Sequence, residues 1–117
     1  MQNEVPLFQK IYDFYKMFYS YIDHFPKKSK EALTVKIEDM LIKLLESITA
    51  ASYSMPIEKQ KFLTEASANV DFLKILFRLC CELKIIDQKK YLLLEEKLQE
   101  IGRMIGGWIK SLKTPNR

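Results

Sequence analysis

Two basic side chains near the end of this chain, Arg103 and Lys110, stand seven residues apart, with Gly106 between them and Lys113 following. On a helix that spacing is two turns, so both cations fall on one strip, with bare backbone between them. Guanidinium and ammonium groups held this way make salt-sensitive contacts to phosphate oxygens, which position a polyanion without reading its sequence. The same residues admit a second reading: a solvated face whose glycines, Gly102 and Gly106, let another helix pack closely. Sequence chemistry alone leaves both open.

Other chemistries find few residues to carry them. His24 is the only histidine, so the Glu-x-x-His pairs of di-iron bundles cannot be assembled. Glu38–Asp39 and Glu95–Glu96 are sequence neighbours that point to different sides of a helix, and read as solvated faces. Cys80 and Cys81 are adjacent, cannot both face one metal, and read as small apolar residues. Gly106–Gly107 lies inside a helical pattern rather than a phosphate loop, which excludes nucleotide binding of that type. No serine or cysteine has a base partner in a recognisable arrangement. Neither catalysis, a cofactor nor a metal is expected.

Charge sharpens the first observation. Fifteen basic and fifteen acidic residues fall in 1–100, so the whole net charge of +4 comes from Arg103, Lys110, Lys113 and Arg117. Concentration at one end points to an anionic partner.

The elements that must position these groups are helices. At 117 residues, rich in apolar side chains and poor in Gly and Pro, the chain suits one domain without strands. Four segments are expected, at about 6–24, 30–53, 57–84 and 88–112. Pro6 suits the first turn of the first helix, whose seam is read as Phe8, Ile11, Tyr15, Phe18, Ile22 and Phe25. Eight of fourteen aromatics lie in 6–25, and they read as packing residues rather than base-stacking ones. Ser29 is the expected cap of the second helix and Asp87 that of the fourth. The second helix turns Leu33, Ile37, Met40, Leu41, Leu44, Leu45, Ile48 and Ala51 inward. Leu63, Ala66, Val70, Leu73, Phe77 and Cys80 make the seam of the third, and Tyr91, Leu94, Leu98, Ile101, Ile105, Trp108 and Leu112 that of the fourth.

Short connections force neighbours antiparallel, giving an up-down-up-down four-helix bundle. The first and third connectors then share one end, gathering Lys27, Lys28, Lys30, Lys84, Lys89 and Lys90, while the basic terminus of the fourth helix lies at the other. Phe72, Ile75, Leu76 and Leu79 form a second apolar lane on the third helix, a surface expected to join copies into a homo-oligomer. The longest run without charge, Ser47 to Ile57, is well short of the ~20 residues a membrane helix needs. No N-terminal stretch orders itself as a signal peptide, so a cytoplasmic protein without membrane contact is expected.

The run Glu100-Ile-Gly-Arg-Met-Ile-Gly-Gly-Trp-Ile-Lys110 resembles the closing helix of Avd, the accessory protein of diversity-generating retroelements. Phe25-Pro-Lys-Lys-Ser resembles that family's first connector, and Leu73-Lys-Ile-Leu-Phe-Arg-Leu its third helix. The resemblance implies a four-helix bundle assembled into a homopentameric barrel. It further implies nucleic-acid binding, association with a reverse transcriptase and its template RNA, and support of mutagenic cDNA synthesis. On it, Arg103 and Lys110 match the basic closing-helix residues, Lys74 and Arg78 those of the third helix, and Lys27 and Lys28 the connector pair. The remaining candidates for nucleic acid are Lys89, Lys90 and Lys113. Those for oligomer or close helix packing are Phe72, Ile75, Leu76, Leu79, Gly102, Gly106 and Trp108. Two other readings stay beside it: a bundle of the ribosomal RNA intervening-sequence type, which shares parts of the closing motif, and a protein-binding oligomeric scaffold without nucleic acid. Thr114-Pro-Asn interrupts the basic tail, a departure from the family pattern.

Overall fold

The computed structural model describes residues 4–27 and 30–113. Four helices carry the fold: α1 Glu4–Ile22, α2 Val35–Ser52, α3 Pro56–Glu82 and α4 Gln88–Lys113, with a π-helical turn, Lys30–Thr34, leading into α2. No strand occurs among the described residues. Local chemistry sets the boundaries. Pro56 opens α3, where its missing N–H is not needed. Asp87 caps α4 as expected, its Oδ1 accepting from the Lys90 N–H at 2.8 Å. Lys84, in the left-handed region at φ 64°, ends α3, and the Ile85 N–H closes back on the Cys80 carbonyl at 2.8 Å. The Ser29 cap lies outside the described residues.

Each helix packs on its two neighbours, α1 on α2 and α4, and α3 on the same pair. Contacts along the pairs run in opposite directions. Lys59 of α3 lies over the Trp108 ring of α4, Val70 lies beside Gly102, and Cys81 reaches Gln88. Lys10 of α1 pairs with Glu100 of α4, and Tyr21 lies under Lys90. The result is the antiparallel four-helix bundle that the short connections require.

Phe77 organises the interior. From α3 it presents its ring edge-on to Phe14 and Phe18 of the opposite helix α1, with centroids 5.8 and 5.3 Å apart. Ile37, Leu41, Leu44 and Ile48 of α2 and Leu94, Leu98, Ile101, Ile105 and Trp108 of α4 close the core from either side. The seams expected for α3 and α4 are found, with Tyr91 and Leu112 half-buried at the ends of α4.

Two expectations are corrected. The buried residues of α1 are Leu7, Ile11, Phe14 and Phe18, whereas Phe8 is exposed and Tyr15 and Ile22 are half-buried. The helix is turned so that Phe14 and Phe18 meet Phe77, leaving Tyr15 at the margin, where its hydroxyl donates to Glu38 Oε2 at 3.2 Å. Burial first, then the Glu38 carboxylate, raises the Tyr15 hydroxyl above its ordinary pKa. The second correction is Leu76, expected in the exposed lane of α3 but buried beside Phe77 in the core. Leu83 takes its place in an exposed stripe with Phe72, Ile75 and Leu79.

Candidate nucleic-acid interface

Between α3 and α4 the backbone of Gly102 opens a groove of about 370 Å³. Lys74 of α3 and Arg103 of α4 both line it, with Gln99, Ser67, Val70 and Asp71. The two cations come from opposing helices, and only the antiparallel register brings them together. Among the described residues neither has a carboxylate within 4.0 Å. Arg103 is exposed and Lys74 half-buried. The Gln99 amide and Ser67 hydroxyl add neutral donors, and Asp71 offsets part of the positive charge. A methyl added at Gly102 would meet Val70 Cγ1 at 3.6 Å, an ordinary contact, so the glycine leaves the groove floor low without being needed to relieve a clash. Such a groove suits an oxyanion approached from solvent.

The sequence model of the bAvd-like family matches residues 6–112. The chain belongs to the bAvd-like family. No curated protein and no solved structure matches it.

The other predicted cations of this bAvd-like protein divide by place. Arg103, Lys110 and Lys113 are exposed on the C-terminal half of α4, and Gly106 is exposed between the first two. An added methyl at Gly106 would meet nothing within 4 Å. The close approach expected there does not occur within the subunit. Trp108 is buried in the subunit's own core, as its place on the α4 seam requires, with Lys59 Nζ 5.9 Å from its ring.

At the opposite end, the connectors meet as expected. His24 and Phe25 share a cavity of about 240 Å³ with Lys84, Asp87 and Lys90. Lys90 is committed there, 3.2 Å from Asp87 Oδ2 and over the Tyr21 ring at 5.6 Å. The backbone and side-chain hydrogen bonds from Lys90 hold the Asp87 carboxyl below its usual pKa. Arg78 has Glu82 at 4.0 Å, a long exposed pair of little strength. Lys27 and Lys89 are exposed, and Lys28 lies outside the described residues.

Among the described residues no group of acidic, histidine or cysteine side chains could hold a metal, and no helix is long and apolar enough to cross a membrane. Burial pushes the Cys80 thiol up to about 11, with Cys81 adding to the shift, so Cys80 behaves as the apolar residue the sequence indicated. The aromatics that the first helix cannot fit on one seam are exposed, and Tyr53 is a further one that sequence reasoning missed. Phe8 and Tyr12 stack at 6.1 Å on the outside of α1 with Lys16 over the Tyr12 ring, and Tyr53 stands almost fully in solvent. An aromatic-rich helix carries more rings than one seam holds, and that surplus was the available signal.

Proposed function

We propose that the protein is a non-enzymatic accessory factor of a diversity-generating retroelement. In this reading it binds template RNA or other nucleic acid through basic surfaces and associates with the reverse transcriptase to support mutagenic cDNA synthesis. Membership of the bAvd-like family supports the context, and the pairing of Lys74 with Arg103 across the Gly102 groove carries the binding reading. Phosphates would sit between the two cations, positioned by charge and by the neighbouring amide and hydroxyl, with no base read.

A homopentamer belongs to the same proposal. The exposed stripe of Phe72, Ile75 and Leu79 on α3, continued by Leu83 at its end, is a surface that copies can bury against one another. Assembly would repeat each groove around a ring, so that single contacts of modest strength act together.

The test is a salt titration of duplex binding by the unaltered chain and by Lys74→Ala/Arg103→Ala. Each lost phosphate contact lowers the slope of log affinity against log salt by about 0.9. Two contacts per groove therefore make the unaltered protein lose roughly twelvefold more affinity than the variant between about 50 and 200 mM salt. Equal slopes would remove the groove from the interface, and binding indifferent to salt would remove the phosphate mechanism altogether.

A further inference from the structure

The end of the bundle where α2 turns into α3 carries a feature that neither the core nor the Lys74–Arg103 groove explains. Tyr53, Met55 and Ile57 are 88, 71 and 85 % exposed, the most exposed large apolar side chains among the described residues. They do not sit on a loose loop. Lys59 Nζ donates to the Ala51 carbonyl at 2.7 Å, and Ser54 Oγ donates to the Ala50 carbonyl at 2.6 Å. These bonds pin the turn, so the three side chains are presented on an ordered platform.

Cations gather around the platform, while Glu46 and Glu65 line the next groove between α2 and α3. Lys59 also lies over Trp108, which ties this corner to α4 and sets Tyr53 at the same end as Lys110 and Lys113. Lys61 is exposed one turn into α3, and Glu58 is the acid of that turn. An apolar tip among cations calls for a partner that is anionic and also offers flat apolar faces. Single-stranded nucleic acid has both, because its phosphates are regularly spaced and its unpaired bases expose their rings. Aromatic rings stack on such bases, and neighbouring apolar side chains such as Met and Ile pack beside them. A duplex hides those faces.

We propose that Tyr53, Met55 and Ile57 form a contact for unpaired bases of a single strand whose phosphates run along Lys61, Lys110 and Lys113. The proposal rests on the nucleic-acid reading above and adds to it a preference for unpaired strand at one end of the bundle.

The experiment compares the full chain with Tyr53→Ala/Met55→Ala by fluorescence anisotropy. The probes are a labelled unstructured 20-nucleotide single strand and a duplex of equal length, both at low salt. Stacking of one base is worth about 1–3 kcal/mol, so single-strand affinity should fall on the order of tenfold or more while duplex affinity stays within about twofold. Both side chains are exposed, and an unchanged melting temperature confirms the fold. Undiminished single-strand binding by the variant overturns this site and leaves the groove reading intact. Equal losses on both probes overturn it too, since they mean a contact that does not depend on unpaired bases. A changed oligomeric state in the variant assigns the tip to contact between copies and overturns it. Capture of anionic phospholipid vesicles without single-strand binding assigns it to lipid, with the same result. Failure of the unaltered chain to bind either probe overturns the nucleic-acid reading, and this site falls with it.

Discussion

Replacing Gly106 by alanine should make this protein more stable. The residue lies inside α4, at an exposed position, and its φ is not positive. An added Cβ finds nothing within 4 Å. No contact therefore opposes the intrinsic preference of a helix interior for alanine, about 0.8–1.0 kcal/mol. The gain comes from the unfolded chain, which has fewer conformations to lose. For a domain of this size 1 kcal/mol moves the melting temperature by roughly 4 °C. Gly107 has equally open surroundings, so the double replacement should approach twice that shift. Gly102→Ala should also stabilise, its methyl resting on Val70 Cγ1 at ordinary contact distance. Thermal unfolding followed by far-ultraviolet circular dichroism, at one fixed protein concentration, reads all three. A lower melting temperature for Gly106→Ala would refute the reasoning, because it requires something outside the subunit to press on that backbone. The stabilised Gly102→Ala protein has a second use. Its methyl raises the groove floor between Lys74 and Arg103 without altering charge, so any loss of nucleic-acid affinity reports the depth of approach alone.

Two further perturbations test the core and the helix ends. Phe77→Ala should cost about 3–5 kcal/mol, because the void left against Phe14 and Phe18 lies between opposite helices and cannot easily collapse; urea unfolding should show a lower midpoint with an unchanged slope. Asp87→Ala should lower the melting temperature near neutral pH, and the gap from the unaltered protein should close on acidification. The folded carboxyl is held below its unfolded value of about 3.9, so its contribution is complete above that pH and disappears as the pH falls through the lowered folded value. A gap that persists at about pH 2 would show that the cap works through something other than the charged carboxylate.

What could be read from sequence alone depended on how many faces a helix could bury. In α4 one stripe is continuous from end to end and the off-stripe Leu92 and Leu93 make no second one, so Leu94, Leu98, Ile101, Ile105 and Trp108 had one way to face inward. In α1 two stripes compete. Phe8–Tyr15–Ile22 and Leu7–Phe14–Phe18 both have helical spacing, and the choice rests on Phe77, some sixty residues away, whose ring edges Phe14 and Phe18 must meet. Leu76 went wrong for a related reason. It neighbours Phe77 on α3, and the core arc there is wide enough to take in a residue that a narrow seam excludes.

The groove shows the same limit from the side of charge. Lys74 and Arg103 stand out in the sequence as cations, but as members of separate helices. Their sharing of one concavity follows from the register of α3 against α4, fixed by Val70 beside Gly102 and Lys59 over Trp108. The closing motif itself changes meaning once folded. Trp108 is a core residue, Gly102 a groove floor, and Gly106 and Gly107 open surface, so one short motif serves three physical tasks. Three glycines in α4 cost helix stability that no contact within the subunit recovers. Under the proposed reading, an anionic partner approaching that surface from outside beside Arg103 would offset the cost.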